Sequence, residues 1–193
     1  MSTSDTPWAA IRAAIDAAHA ADPQLEDGVP AELRYADRVE AWVCALLPDA
    51  GPFERLPARC QHLERWAIPR DDYPRDRPSY LRWRRDLGAR QGQRARELAL
   101  AQGLDEAQAE RLERLAAKRA PKDDALAQAM EDAACLVFLE HHAVDFAGTQ
   151  PSDKVVDILR KTWGKISPAG QEAALRLDLH PAVKELVGKA LGA

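Results

Sequence analysis

Apolar positions recur at steps of three and four residues along almost the whole chain, the spacing of one face of an α-helix. Trp8, Ile11, Ile15 and Ala18 form the stripe of a first helix that ends near Ala21-Asp22-Pro23. A second begins after Pro30 and presents Leu33, Val39, Trp42, Val43, Leu46 and Leu47, until Pro48-Asp49-Ala50-Gly51-Pro52 stops it. Phe53, Leu56, Cys60 and Leu63 mark a third, predicted to close near Trp66 because Ile68-Pro69 disfavours continuation. Ile68 to Pro78 contains three prolines in eleven residues and reads as a loop.

Tyr80, Trp83, Leu87, Ala95, Leu98 and Ala99 form the next helical run, with a bend expected near Gly88 or Gly92. Asp105 is placed to cap a helix whose Leu112 and Leu115 face inward. Asp124 to Phe146 is the most apolar stretch, and Leu126, Met130, Ala133, Ala134, Val137 and Phe138 predict a central helix. Ser152 is expected to cap a helix carrying Val155, Val156, Ile158 and Leu159. Ser167-Pro168 has the cap-then-proline order that starts another, and the last begins near Pro181. No stretch of Val, Ile and Thr alternates with period two, no repeat is present, and no linker divides the chain. The expected architecture is therefore all-α, a single helical bundle over residues 1–193.

With 193 residues, 46% apolar and 30% charged, the chain can bury a sizeable core, which excludes low-complexity disorder. No apolar run approaches the length that spans a bilayer, and the opening MSTSDTPW lacks the basic and apolar regions of a signal peptide, so a cytoplasmic protein with no membrane partner is expected. Cys44, Cys60 and Cys135 are scattered and odd in number, as buried reduced thiols are. The net charge is −4, yet residues 55 to 96 hold twelve arginines, no lysine and five acids. An acidic total argues against duplex DNA, whose binding rests on releasing many counterions. Local arginine suits a compact anion, because guanidinium forks grip phosphate or carboxylate oxygens in pairs.

No glycine-rich phosphate loop, CxxC pair, HExxH or GxSxG occurs, so candidate chemistry rests on constellations. His62, within Cys60-Gln61-His62-Leu63-Glu64-Arg65-Trp66, stands just before the arginine-rich loop. It reads either as a core histidine satisfied by a carbonyl or as a metal ligand or proton carrier. Glu131 and Asp132 lie inside the most apolar helix, where an unpartnered carboxylate is costly, so both need partners. His141 and His142 fall nearly three turns, roughly 14 Å, beyond Asp132 and are read as surface or partner-contact residues. Arg65, Arg70, Arg77, Arg82 and Arg84 interleave with Trp66, Tyr73, Tyr80 and Trp83. Arginine over aromatic faces holds a phosphate together with a base or sugar, although buried tryptophans with outward arginines produce the same pattern. Lys161 and Lys165, ahead of the Ser167-Pro168 helix start, offer either further cations for an anion or a plain solvated turn.

Several long segments point further. Tyr35 with Arg38-Val39 and Trp42, the run ARCQHLERWAIPRDDYP from Ala58, YLRWR from Tyr80, MEDAACLVFLE from Met130 and LRKTWGKISPAGQEAAL from Leu159 resemble the bacterial and fungal family catalogued as domain of unknown function 4202. The resemblance runs over nearly the whole chain, and it implies no activity. A second resemblance, confined to a few positions, is to the all-α HD-domain metal-dependent phosphohydrolases. There His62 takes the place of the histidine of the His-Asp pair and Asp132, in DAACL, that of the last aspartate, while Tyr35 and Leu63 replace the other two ligands. This resemblance implies an HD-domain-like scaffold in which His62 and Asp132 position a divalent metal ion or a water, with Glu131 as base. Tyr35, Arg38, Arg65, Arg70, Arg77, Arg82, Lys161 and Lys165 would then surround a small phosphorylated substrate such as a nucleotide. The alternative is a non-catalytic module that binds a phosphorylated ligand, RNA or a protein partner through the same arginines.

Overall fold

The stripe of the first helix is buried as its spacing predicts: Ile11 and Ile15 are fully enclosed in the computed structural model, which describes residues 7–192. Residues 1–6, part of the segment read above as lacking a signal peptide, lie outside that range. Along the described chain run α1 (Trp8–His19), a two-residue antiparallel hairpin of β1 (Leu25–Glu26) and β2 (Val29–Pro30), α2 (Ala31–Leu46) and α3 (Pro52–Arg59). They are followed by α4 (Arg77–Ala101), α5 (Glu106–Ala116), α6 (Ala125–Val137), α7 (Ala143–Thr149), α8 (Ser152–Trp163), α9 (Pro168–Leu175) and α10 (Pro181–Leu191). The chain is all-α apart from the hairpin, in which Asp27 and Gly28 both take positive φ to make the turn. Among the described residues no helix is long and apolar enough to cross a membrane.

Two apolar clusters meet along α6. Ile11, Ile15, Val39, Val43, Leu112, Leu115, Met130, Ala133 and Val137 belong to the larger, which joins α1 to α6. Leu136, Leu139, Val155, Leu159, Ala174 and Ala190 form the smaller around α8 to α10, and Trp42 and Leu46 pack against both. Each fully buried Ile, Leu or Val contributes roughly 1.5–3 kcal/mol. Inside the larger cluster lies a charge network. Arg59, 1% exposed, donates to Asp16 at 2.6 Å, Asp37 at 2.7 Å and Glu40 at 2.7 Å, and Arg12 also pairs with Glu40. It ties α1, α2 and α3 together at the base of the segment that presents His62.

Several expectations shift. The third helix stops at Arg59, well short of Trp66, because His62 (φ 61°) and Glu64 (φ 49°) adopt left-handed backbone; only single 3-10 turns follow at Arg65–Ala67 and Arg70–Asp72. Helix α4 runs uninterrupted through Gly88 and Gly92, which serve contact with α5: a Cβ on Gly92 would lie 2.6 Å from the Glu113 carbonyl oxygen. The predicted central helix is broken by a π-turn at Phe138–His142. Asp105, Asp124 and Ser167 cap α5, α6 and α9, whereas Ser152 is the first residue of α8 and makes no capping bond. Cys60 is buried, while Cys44 and Cys135 are half-buried. All three are free thiols, and burial pushes Cys60 and Cys135 up to about 12, so both stay protonated.

Candidate functional site

Left-handed backbone is uncommon for residues with a side chain, and each such residue costs on the order of 1–3 kcal/mol unless its surroundings enforce it. The surroundings of His62 and Glu64 do. The Glu64 carboxylate accepts from Arg94 Nε at 2.9 Å and from Arg90 Nη2 at 3.1 Å, anchoring the turn to α4. The His62 ring stacks on Tyr35 of α2, with centroids 4.1 Å apart and planes 7° from parallel. Nδ1 lies 2.9 Å from Glu32 Oε2, also on α2, and Nε2 lies 2.9 Å from Arg65 Nη1. The turn thus throws one imidazole sideways onto α2 and holds it by a ring face and both nitrogens.

These groups open on a cavity of about 290 Å³ lined by Glu26, Ala31, Glu32, Tyr35, His62, Arg65, Ala134, Phe138 and His142. That volume is near the lower end for small-molecule sites. A carboxylate cannot donate, so Nδ1 carries the proton shared with Glu32, and neutral Nε2 presents a lone pair to the Arg65 N–H. Burial, reinforced by Arg65, moves the His62 pKa below its ordinary value, in keeping with that neutral form. Burial also raises Tyr35, which remains a neutral phenol. Across the cavity, burial and then Arg38 lower His142.

The residues singled out in the sequence divide sharply. Tyr35, His62 and Arg65 line the cavity. Arg38 is committed to Glu26, donating to both carboxylate oxygens at 2.6 and 3.1 Å, and so neutralises one cavity wall instead of facing a ligand. Asp132 does not meet His62. It is 1% exposed, and its oxygens accept from Gln128 Nε2 at 2.8 Å, from the Ser167 backbone N–H at 2.9 Å and from the Ser167 hydroxyl. One residue along an α-helix is a rotation of about 100°. The face of α6 that carries Ala134 and Phe138 to the cavity therefore turns Asp132 toward the start of α9. Glu131 does not line the cavity either; partly exposed, it lies 3.5 Å from Lys118 Nζ.

The arginine-rich loop is also mostly self-engaged. Arg70 donates to the carbonyls of Tyr73 (2.8 Å) and Pro74 (2.9 Å) and lies over Tyr80 and Trp83, stapling the loop to α4. Arg77 and Arg82 are exposed and do not line the cavity; Lys161 pairs with Asp157, and Lys165 is exposed. Arg65 is the exception, since its guanidinium lies 5.3 Å from the Trp83 ring while reaching His62. As a donor set for a divalent metal the arrangement does not fit. Both His62 nitrogens are engaged, Asp132 belongs to another interface, and among the described residues no three His, Cys, Asp or Glu side chains are grouped to hold an ion.

Sequence reasoning missed Glu26 and Glu32. Glu32 stands three residues before Tyr35, a spacing that puts both on one helix face, and this was the available signal. His142, expected at the surface or against a partner, instead lines the cavity, because the π-turn brings it to the same wall as Phe138. An all-α protein with a small cavity built on a Glu32–His62–Arg65 chain is the class these features define. The chain belongs to the family described as "Domain of unknown function (DUF4202)", whose model matches residues 9–187. No curated protein and no solved structure matches it.

Proposed function

We propose that the protein is an enzyme that hydrolyses a small phosphorylated substrate by acid–base chemistry, with His62 as base, Glu32 as its orienting partner and Arg65 as phosphate holder. The observation that carries this reading is the Glu32–His62–Arg65 chain at the wall of a ligand-sized cavity. A carboxylate on Nδ1 fixes the ring tautomer and stabilises the imidazolium that forms when Nε2 takes a proton. In the unliganded protein Nε2 is covered by Arg65. A phosphate entering the cavity is a stronger partner for the guanidinium than a neutral imidazole is. Its arrival draws Arg65 away, frees Nε2 and brings the anion beside the base in one movement.

The test is a panel of phosphate esters and nucleotides assayed with the native chain, His62→Ala and Glu32→Gln. Turnover of at least one ester is expected. His62→Ala should reduce kcat by about 10²–10⁴-fold, the usual contribution of a positioned acid or base. A silent panel, or activity indifferent to His62→Ala, would overturn the proposal. The capping of Nε2 by Arg65 also favours a second reading, a module that binds a phosphorylated ligand without reaction. It predicts thermal stabilisation, about 2.7 kcal/mol at a hundredfold excess over Kd, with no turnover.

A further inference from the structure

We infer that His142 is the proton donor to the leaving group in this cavity, and that the substrate is a singly charged phosphodiester. The inference rests on the hydrolytic reading above and adds a second reacting side chain and a substrate class.

The placement of His142 comes from the π-turn. Widened turns of this kind commonly mark functional positions, and this one sets both its ends, Phe138 and His142, at the cavity wall. The His142 ring centroid lies 6.3 Å from that of Tyr35, the same ring on which His62 stacks. Among the described residues no hydrogen bond engages either His142 nitrogen, in contrast to His62, so both are left for a ligand. The charged and titratable groups around it are Glu26 from the hairpin, Glu32, Tyr35 and Arg38 from α2, and His141 from its own turn. Burial first and then Arg38 lower its pKa, Glu26 opposes them, and a bound anion would add to Glu26 in favouring the protonated form that a proton donor needs.

The substrate class follows from the fixed charges. Glu26 and Arg38 neutralise each other, which leaves one carboxylate, Glu32, and one guanidinium, Arg65, to face a ligand. A phosphomonoester, with nearly two negative charges near neutral pH, would have that single cation to hold it beside the Glu32 carboxylate. A diester carries one charge and matches Arg65 alone. Water then attacks phosphorus: a new P–O bond forms, and His62 Nε2 takes the water proton. The P–O bond to the leaving alkoxide breaks with its electron pair, and that oxygen takes the proton of His142. The products are a phosphomonoester and a hydroxyl. His62 and His142 return to their starting forms by proton exchange with solvent. A cyclic mononucleotide is a compact diester suited to a cavity of about 290 Å³.

The test compares 2′,3′-cyclic mononucleotides, the corresponding monoesters and bis(4-nitrophenyl) phosphate on the native chain, His142→Ala and His142→Gln, with each variant's fold checked by circular dichroism. The cyclic diester is expected to outpace the monoester by an order of magnitude or more. Both substitutions should lower kcat on the cyclic diester by about 10²-fold yet leave the nitrophenyl diester nearly unchanged, since nitrophenolate departs without a proton. Equal losses on the two diesters would overturn the proton-donor role. A preference for monoesters would overturn the substrate class and leave the hydrolytic reading intact. Inertness of the folded native chain toward every ester would overturn both.

Discussion

Replacing Asp132 by alanine removes the acceptor for the Ser167 N–H, the Ser167 hydroxyl and Gln128, and leaves these donors at the α6–α9 junction without it. Gly170 lies so close that a Cβ there would come within 2.7 Å of Asp132 Cγ, so the carboxylate sits directly against the α9 backbone. Urea unfolding should show Asp132→Ala to be less stable by about 1–3 kcal/mol, while any ester hydrolysis by the folded variant keeps the native rate. His62→Ala should do the reverse, trading rate for little stability. The contrast separates a carboxylate that holds two helices from an imidazole that faces a cavity, although both stand in apolar sequence.

Between elements, the tightest seam is that of α4 and α5. In Gly92→Ala the new methyl would meet the Glu113 carbonyl oxygen at 2.6 Å and Ala117 Cβ at 2.8 Å, and backbone cannot swing aside as a flexible side chain does. Alanine gains up to about 1 kcal/mol of helix propensity over glycine, but forcing the helices apart costs about 1–3 kcal/mol. The variant is expected to unfold at a lower temperature, measured by the loss of helical circular dichroism. Because Arg90 and Arg94 of α4 hold Glu64, movement of α4 would also loosen the turn that carries His62.

For the molecule as a whole, acid should act through buried histidines before it acts on carboxylates. His19 is fully buried; Nε2–H donates to the Arg59 carbonyl at 2.7 Å, and Nδ1 has no partner among the described residues. Burial, the largest influence, lowers its pKa below the ordinary 6.5, and burial likewise lowers His62. Below pH 6.5 the unfolded chain therefore binds more protons than the folded one, so stability present above that value is lost as pH falls through the lowered folded-state values. Thermal unfolding followed from about pH 7.5 down to about pH 5 should show a falling midpoint. His19→Leu should be less stable at neutral pH, having lost the bond to Arg59, and should show a shallower fall.

Helix positions, some caps and the all-α class were legible in the chain because they depend on residues within a few turns of one another: the stripes of Ile11 and Ile15 or Leu112 and Leu115, the Asp105 cap, the Ser167-Pro168 start. His62 and Arg65 were legible as candidates because polar and aromatic groups there interrupt that local logic, and Tyr35 through the family resemblance. What local spacing does not hold is the direction of a side chain relative to distant helices. Left-handed backbone at His62 and Glu64 depends on α2 and α4 being in place, and a rotation of about 100° per residue decides that Asp132 meets α9 while Ala134 and Phe138 meet the cavity. Likewise Glu32 reached His62, and His142 the same cavity, only when α2 and the π-turn packed around it, since placement across thirty or eighty residues is set by how apolar faces fit together and leaves no period in the sequence.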